Sequence, residues 1–126
     1  MLKKTLLALS FCASPLAAED VTIDTYRGEM TVQAEPAKVA VFELAALDTM
    51  EALGVSPDGT LANVYLEYLQ DAAEGAEVVG TLFEPDFEAI NALQPDLIIA
   101  GGRSHETVPE LTKMAPTIDM TICEDP

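Results

Sequence analysis

Short apolar runs alternate with helical patterns through most of this chain. The runs at residues 39–42 and 97–100 have the length and β-branched content of buried strands. Between them, apolar residues recur every three positions from Leu44 to Leu53, which predicts an amphipathic helix ended by Gly54. The chain therefore reads as strand, helix and strand in succession.

The same alternation continues to the end of the sequence. Asp86 is a predicted N-cap, Gln94-Pro95 a predicted helix end, and Thr107 with Glu110 has the spacing of a capping box. Further strands are predicted at residues 61–64, 78–79 and 117–120, and further helices at residues 66–73, 87–93 and 107–115. Alternating strands and helices predict an α/β fold of three layers, in which helices flank a parallel sheet.

Two other segments precede this pattern. Residues 21–26 and 30–34 predict an N-terminal β-hairpin that Pro36 ends. Residues 1–18 have the basic start, the apolar middle and the small-residue end of a secretory signal peptide, with cleavage predicted after Ala18. The alternative for this segment is a first helix of the folded domain. Its apolar run is shorter than the roughly 20 residues that span a bilayer.

Export implies a periplasmic location. A lipoprotein anchor at Cys12 is disfavoured, because bulky Phe11 stands where a small residue is expected. Cleavage leaves Cys123 as the only thiol, so no internal disulfide is predicted. The mature chain, residues 19–126, has the length of one domain.

The composition excludes several functions. The 126 residues include 22 acids and 6 bases, for a formal charge of −16, and signal cleavage leaves 22 acids against 4 bases, or −18. Such a chain repels nucleic acid and anionic membranes. The hydrophobic content of 49% nevertheless favours a compact domain over disorder.

Candidate binding residues follow the predicted strands, because ligands of open parallel sheets settle beyond the carboxyl ends of the strands. Arg103 is the most informative, since it is one of four mature bases and follows Gly101-Gly102. Its planar guanidinium suits a carboxylate, phosphate or catecholate oxygen pair. The alternative is an arginine paired with a surface acid. The other candidates at this rim are Glu43, Leu44, Tyr65, Phe83, Ser104 and His105.

Signals for catalysis and cofactors are weak. His105 is the only histidine, so a site with several histidines is excluded. Ser104 and His105 are adjacent without a G-x-S-x-G motif, and the chain has no P-loop and no G-x-G-x-x-G. A non-enzymatic binding module without a resident cofactor or metal is the favoured interpretation.

Three segments carry a resemblance to a known family. These are residues 41–54 (VFELAALDTMEALG), residues 79–99 (VGTLFEPDFEAINALQPDLII) and residues 115–117 (APT). The chain resembles the amino-terminal lobe of the periplasmic binding proteins of iron-siderophore ABC transporters. The resemblance implies a ferric siderophore as the ligand, of the catecholate type because Gly102-Arg103 matches a loop whose arginine holds the anionic complex.

The family also implies partners. Glu88 lies in the motif whose acid docks onto an inner-membrane permease, and it is the docking candidate here. Family members hold the ligand between two lobes joined by a long helix, and this sequence stops about where that helix would begin. The resemblance therefore implies one lobe of a two-lobed protein, with a carboxyl-terminal lobe missing.

Three alternatives remain open. The same superfamily includes haem and cobalamin binders, for which Tyr65 or His105 would be the axial ligand of a haem. A small secreted hydrolase would use Ser104 and His105. The chain could also be a fragment without function.

Overall fold

The computed structural model describes residues 19–122. The predicted signal peptide, Cys12 and Cys123 lie outside the described residues. None of the helices within the described range combines the length and apolar character needed to cross a bilayer.

The described chain forms a five-stranded parallel sheet and a separate hairpin. The hairpin pairs β1 (Asp20–Thr25) with β2 (Gly28–Gln33), and the sheet has the order β5-β4-β3-β6-β7. Its strands are β3 (Val39–Val41), β4 (Gly59–Thr60), β5 (Glu77–Val78), β6 (Leu97–Ala100) and β7 (Thr117–Asp119), and the helices are α1 (Leu44–Ala52), α2 (Phe87–Leu93) and α3 (Val108–Leu111). The α/β class, the flanking helices and the N-terminal hairpin are confirmed.

Helix α2 packs on one face of the sheet, and the hairpin packs on the other. Gly59 of β4 packs so tightly that a Cβ there would lie 2.7 Å from Cδ2 of Leu93 in α2 and 3.3 Å from Cβ of Ala40. Val39 points to the opposite face because side chains alternate along a strand. On that face the hairpin contributes Val32 to an apolar cluster with Leu97 and Ile118, and Val39 packs against this cluster.

Helix α1 follows its sequence pattern closely. Leu44, Leu47 and Met50 are buried as the three-residue spacing predicts, whereas Leu53 follows the helix and is 73% exposed. Glu43 is the N-cap. The predicted N-cap of α2 is also confirmed, since Oδ1 of Asp86 accepts a hydrogen bond from the amide of Ala89 at 2.9 Å.

Three local predictions are wrong. Residues 66–73 form only a 3-10 turn at Glu67–Leu69 and further turns, because the segment has no side-chain cap and too few residues to sustain an isolated helix. Residues 61–64 are a loop, since β4 has ended at Thr60. Thr107 caps α3 without a side-chain bond, because its hydroxyl donates to the carbonyl of Ser104 instead.

Candidate functional site

The order of the strands creates a crevice between β3 and β6. From β3 the chain moves outward through β4 to β5, and from β6 it moves the other way to β7. Val41 pairs with Ile99, so the loops that follow these two strands leave the sheet side by side and then part. Ligands of open α/β sheets bind at such a switch point.

A pocket of about 120 Å³ lies in this crevice. Its lining residues are Glu43, Leu44, Tyr65, Leu82 and Arg103. Four of the seven predicted ligand-binding residues are therefore brought together. Leu82 was missed, although its place next to Phe83 in the same loop was a signal that could have found it.

The guanidinium of Arg103 has an aromatic partner. Its Nη2 donates a hydrogen bond to the Tyr65 hydroxyl at 2.8 Å, and its Cζ lies 5.6 Å from the centre of the Tyr65 ring. Within residues 19–122, Arg103 forms no ion pair with a carboxylate. The alternative of an arginine neutralised by a surface acid is therefore wrong for the described part of the chain.

Glu43 has two roles in this pocket. Its Oε2 accepts a hydrogen bond from the amide of Ala46 at 2.6 Å, so the carboxylate caps α1 while it lines the pocket wall. The positive end of the helix dipole favours a negative charge at this position. Glu43 thus places an anionic group near the cation of Arg103.

The loop that carries Arg103 depends on Gly101. Gly101 has φ +145°, and a Cβ there would lie 2.7 Å from the amide nitrogen of Thr121, so a larger residue would clash with backbone. Ser104 is fully buried, and its hydroxyl lies 3.0 Å from both the amide nitrogen and the carbonyl oxygen of Gly101. Ser104 therefore closes this turn and has no surface for a ligand.

A larger depression of about 450 Å³ shares Glu43 with the Arg103 pocket. Two of its lining residues are exposed apolar side chains, Met120 at 53% and Ile122 at 85%. The rest of the lining is Ala45, Gly102 and Thr121. Sequence reasoning missed Met120 and Ile122, although their position directly after the last strand was the same signal that identified the other rim loops.

A third depression of about 450 Å³ runs along the edge of the sheet and shares Tyr65, but no charged side chain lines it. Phe83 is 66% exposed and lines none of these three depressions. Glu88 is exposed in the first turn of α2.

His105 belongs to a different cluster, centred on the buried carboxylate of Asp119. Nδ1 of His105 lies 2.9 Å from Oδ2 of Asp119, and the imidazole meets the Tyr26 ring edge-on at 5.0 Å between ring centres. Arg27 donates to Oδ2 of Asp119 from Nε at 2.8 Å. The hydroxyl of Thr121 donates to the other oxygen at 2.6 Å.

This surrounding controls the pKa of Asp119. Burial alone would raise that pKa, but the hydrogen bonds from the Thr121 hydroxyl and amide, the bond from Arg27 and the charge of His105 outweigh it. The net pKa lies below the ordinary value of 3.8. Asp119 is therefore an anion at neutral pH despite being 1% exposed.

The same geometry bears on catalysis and on metals. Ser104 bonds to Gly101 and His105 to Asp119, so within the described chain the two residues lack the mutual contact of a nucleophile and its base. No group of three or more His, Cys, Asp or Glu residues among those described could hold a metal ion.

Comparison with known proteins shows which proteins this sequence is similar to. No protein-family model matches the sequence. The chain is 37% identical over 98 residues to the Fe(3+)-citrate-binding protein YfmC of Bacillus subtilis, covering 74% of this chain and 31% of the relative. It is 40% identical over 90 residues to the petrobactin-binding protein YclQ of the same organism, covering 69% of this chain and 28% of the relative.

Solved structures agree. The crystal structure of YclQ superposes with a TM-score of 0.77 at 35% identity, over 82% of this chain and 38% of that one. The periplasmic catecholate-siderophore binding protein VctP from Vibrio cholerae gives 0.73 at 37% identity, over 80% and 37%. The chain thus spans about a third of the length of these proteins. By sequence and by fold, the chain belongs over this partial length to the substrate-binding proteins of iron-siderophore ABC transporters.

Proposed function

We propose that this chain is the amino-terminal lobe of a solute-binding component for ferric siderophore uptake, with a catecholate-type complex as its ligand. The observation that carries the proposal is Arg103. It is a cation in a strongly acidic chain, it lies at the switch point of the sheet, and within residues 19–122 a neutral tyrosine holds it instead of a carboxylate.

The charge of the ligand supports this assignment. A ferric tris-catecholate is an anion, and a guanidinium can donate to two of its oxygens at once. The bond to the Tyr65 hydroxyl uses only Nη2. The remaining donors of Arg103 are therefore available to the ligand.

The size of the pocket supports a two-lobed binding protein. Ligand sites are usually about 300–1,000 Å³, whereas the Arg103 pocket has a volume of about 120 Å³. It can hold one edge of a ferric complex. The apolar depression beside it, with Met120 and Ile122, offers contact area for a second lobe or for the rest of the ligand.

The other parts of the proposal follow the family. Phe83 would add an apolar edge to the rim, and exposed Glu88 would dock onto an inner-membrane permease. The protein would act outside the cytoplasmic membrane, as the periplasmic relative VctP does, and would bind its ligand without changing it. Ser104 does not enter the proposal, because it is buried.

A titration with a ferric tris-catecholate tests the proposal. The chain has 3 tyrosines and no tryptophan, so tyrosine fluorescence reports on Tyr65, and Tyr65→Phe shows how much of the signal comes from Tyr26 and Tyr68. We expect quenching on binding, and we expect Arg103→Ala to weaken binding by about 1–2 kcal/mol, the size of a charge-assisted hydrogen bond. Lys113→Ala is the matched control, because it removes a base whose partner is Glu110 on α3.

Two results would contradict the assignment. Unchanged affinity in Arg103→Ala would remove that residue from the site. An absence of quenching, even when the carboxyl-terminal lobe of a relative such as YclQ is supplied, would overturn the siderophore assignment as a whole.

A further inference from the structure

The cluster around Asp119 joins three separate parts of the chain. Arg27 comes from the turn of the hairpin, Asp119 ends β7, and His105 belongs to the 3-10 segment Gly102–Thr107. Both oxygens of the buried carboxylate are used, since Oδ2 meets Arg27 and His105 while Oδ1 meets Thr121. Asp119 therefore fixes the hairpin turn and the 3-10 segment to the same point.

Further contacts tighten this junction. The amide of Tyr26 donates to the carbonyl of Asp119 at 3.1 Å, and Nη2 of Arg27 donates to the carbonyl of His105 at 3.3 Å. The turn of the hairpin thus contacts both the strand end and the backbone of the 3-10 segment. The two side-chain bonds of Arg27 span 92 and 78 positions of sequence.

Arg103 lies in the same segment, between two residues that the junction holds. The amide of Gly102 donates to the Thr121 hydroxyl at 3.1 Å, and that hydroxyl donates to Asp119. On the other side, His105 is bound to Asp119 directly. The backbone of Arg103 is therefore held from both directions by partners of one carboxylate.

We infer that Asp119 is a positioning residue for Arg103. Arg27, in the hairpin turn, contributes to the same positioning through its bond to Asp119. The inference rests on the proposed function, in which Arg103 contacts an anionic ligand. Asp119 itself is buried and acts only through the segment that it holds. The hairpin thereby gains a role in the binding site, to which its own strands contribute no lining residue.

Amide hydrogen exchange in the purified full chain tests this inference without any ligand. The variants are Asp119→Asn and Arg27→Met, with Lys113→Met as the control for loss of one positive charge. We expect the Gly102 and Ser104 amides to exchange about tenfold faster in Arg27→Met, where the charge-assisted bond to Asp119 is lost, and by a larger factor in Asp119→Asn, where His105 and Thr121 also lose their charged acceptor. The amides of Phe42 and Ile98, which bond within the sheet, serve as the internal reference. They should keep their rates in Arg27→Met, and in Asp119→Asn they report the loss of global stability, which is subtracted from the change at Gly102 and Ser104.

A second readout follows the contact between Arg103 and Tyr65. In nuclear magnetic resonance spectra, the Tyr65 ring signals should shift toward those of Arg103→Ala in both variants and stay unchanged in Lys113→Met. Arg27→Lys, which keeps the charge, should restore part of the protection at Gly102.

Each outcome decides the question. Unchanged exchange at Gly102 and Ser104 in Arg27→Met and Asp119→Asn would overturn the inference. A loss of protection in Arg27→Met that is equally large at Phe42 and Ile98 would also overturn it, because the contact of Arg27 with Asp119 would then stabilise the whole fold without a separate effect on the Arg103 segment. If Asp119→Asn does not fold, the half-exposed Arg27 decides alone. Because the readouts use no siderophore, a failure of the proposed ligand would appear only in the titration.

Discussion

Two arginines in this acidic chain have opposite surroundings. Arg27 donates to the buried carboxylate of Asp119 and to the carbonyl of His105, so its charge is neutralised inside a network. Arg103 lies at the crevice of the sheet and bonds to the neutral hydroxyl of Tyr65. The two residues are of the same type, and only their partners differ.

The difference separates a structural role from a binding role. A paired guanidinium has already exchanged its hydration for protein partners, so a ligand would have to break those bonds. A guanidinium that bonds only to a neutral group keeps unused donors for a ligand. The partner of each arginine, more than its exposure, therefore indicates what the residue does.

The largest expected effect comes from disrupting the cluster around Asp119. Asp119→Asn should lower the free energy of unfolding by about 2–3 kcal/mol, because it leaves Arg27, His105 and Thr121 without a charged acceptor. Arg103→Met should change it by less than about 0.5 kcal/mol, since it breaks no ion pair among the described residues. Urea denaturation measures both, with Asp48→Asn at an exposed position of α1 as the control. Equal losses of unfolding free energy in Asp119→Asn and Arg103→Met would contradict the distinction between the structural cluster at Asp119 and the binding pocket at Arg103.

A second, smaller effect is the pH dependence of that loss. Because the folded pKa of Asp119 is lowered, its stabilisation is fully present above the unfolded value, near 3.8, and is lost as pH falls through the folded value. The difference in unfolding free energy between the native chain and Asp119→Asn should therefore be constant near pH 5 and shrink below pH 3.8. Denaturation at steps from pH 5 to pH 2.5 measures it. A difference that grows on acidification would contradict the direction of the shift.

The smallest expected effect is a change in ligand affinity at the Arg103 pocket. Glu43→Gln keeps an oxygen to cap α1 but removes the negative charge beside Arg103, so affinity for an anionic ferric complex should rise about two- to fivefold. Glu51→Gln, at the far end of the same helix, makes the same change in net charge and should have a much smaller effect. Tyrosine fluorescence titration at low and at physiological ionic strength compares them. A weaker affinity in Glu43→Gln would indicate that Glu43 accepts a hydrogen bond from the ligand instead.

The sequence predicted the fold where local and tertiary preferences agree. The runs at β3 and β6 are apolar and β-branched, and α1 and α2 have both a cap and an apolar face, so each forms as predicted. Residues 66–73 have helix-forming residues without a cap, and packing leaves them as turns. Local propensity produced the predicted element only where that element also packs against the core.

The binding rim was predicted in part for a general reason. Residues that follow parallel strands must gather at one edge, which brought Glu43, Tyr65 and Arg103 together. The same rule could not distinguish Ser104, which turns inward, from Arg103 beside it. Nor could it find Asp119, because a carboxylate at the end of a short strand has no local mark that it will be buried.

The sequence by itself determined the α/β class, the acidic surface, the order of the elements and the family, because periodicity, composition and local motifs are properties of neighbouring residues. Only the tertiary structure decided which arginine is neutralised and which keeps its charge available. Arg27 meets Asp119 across 92 positions of chain and Arg103 meets Tyr65 across 38. Such pairings arise when strands and loops pack together, so no local pattern in the chain predicts them.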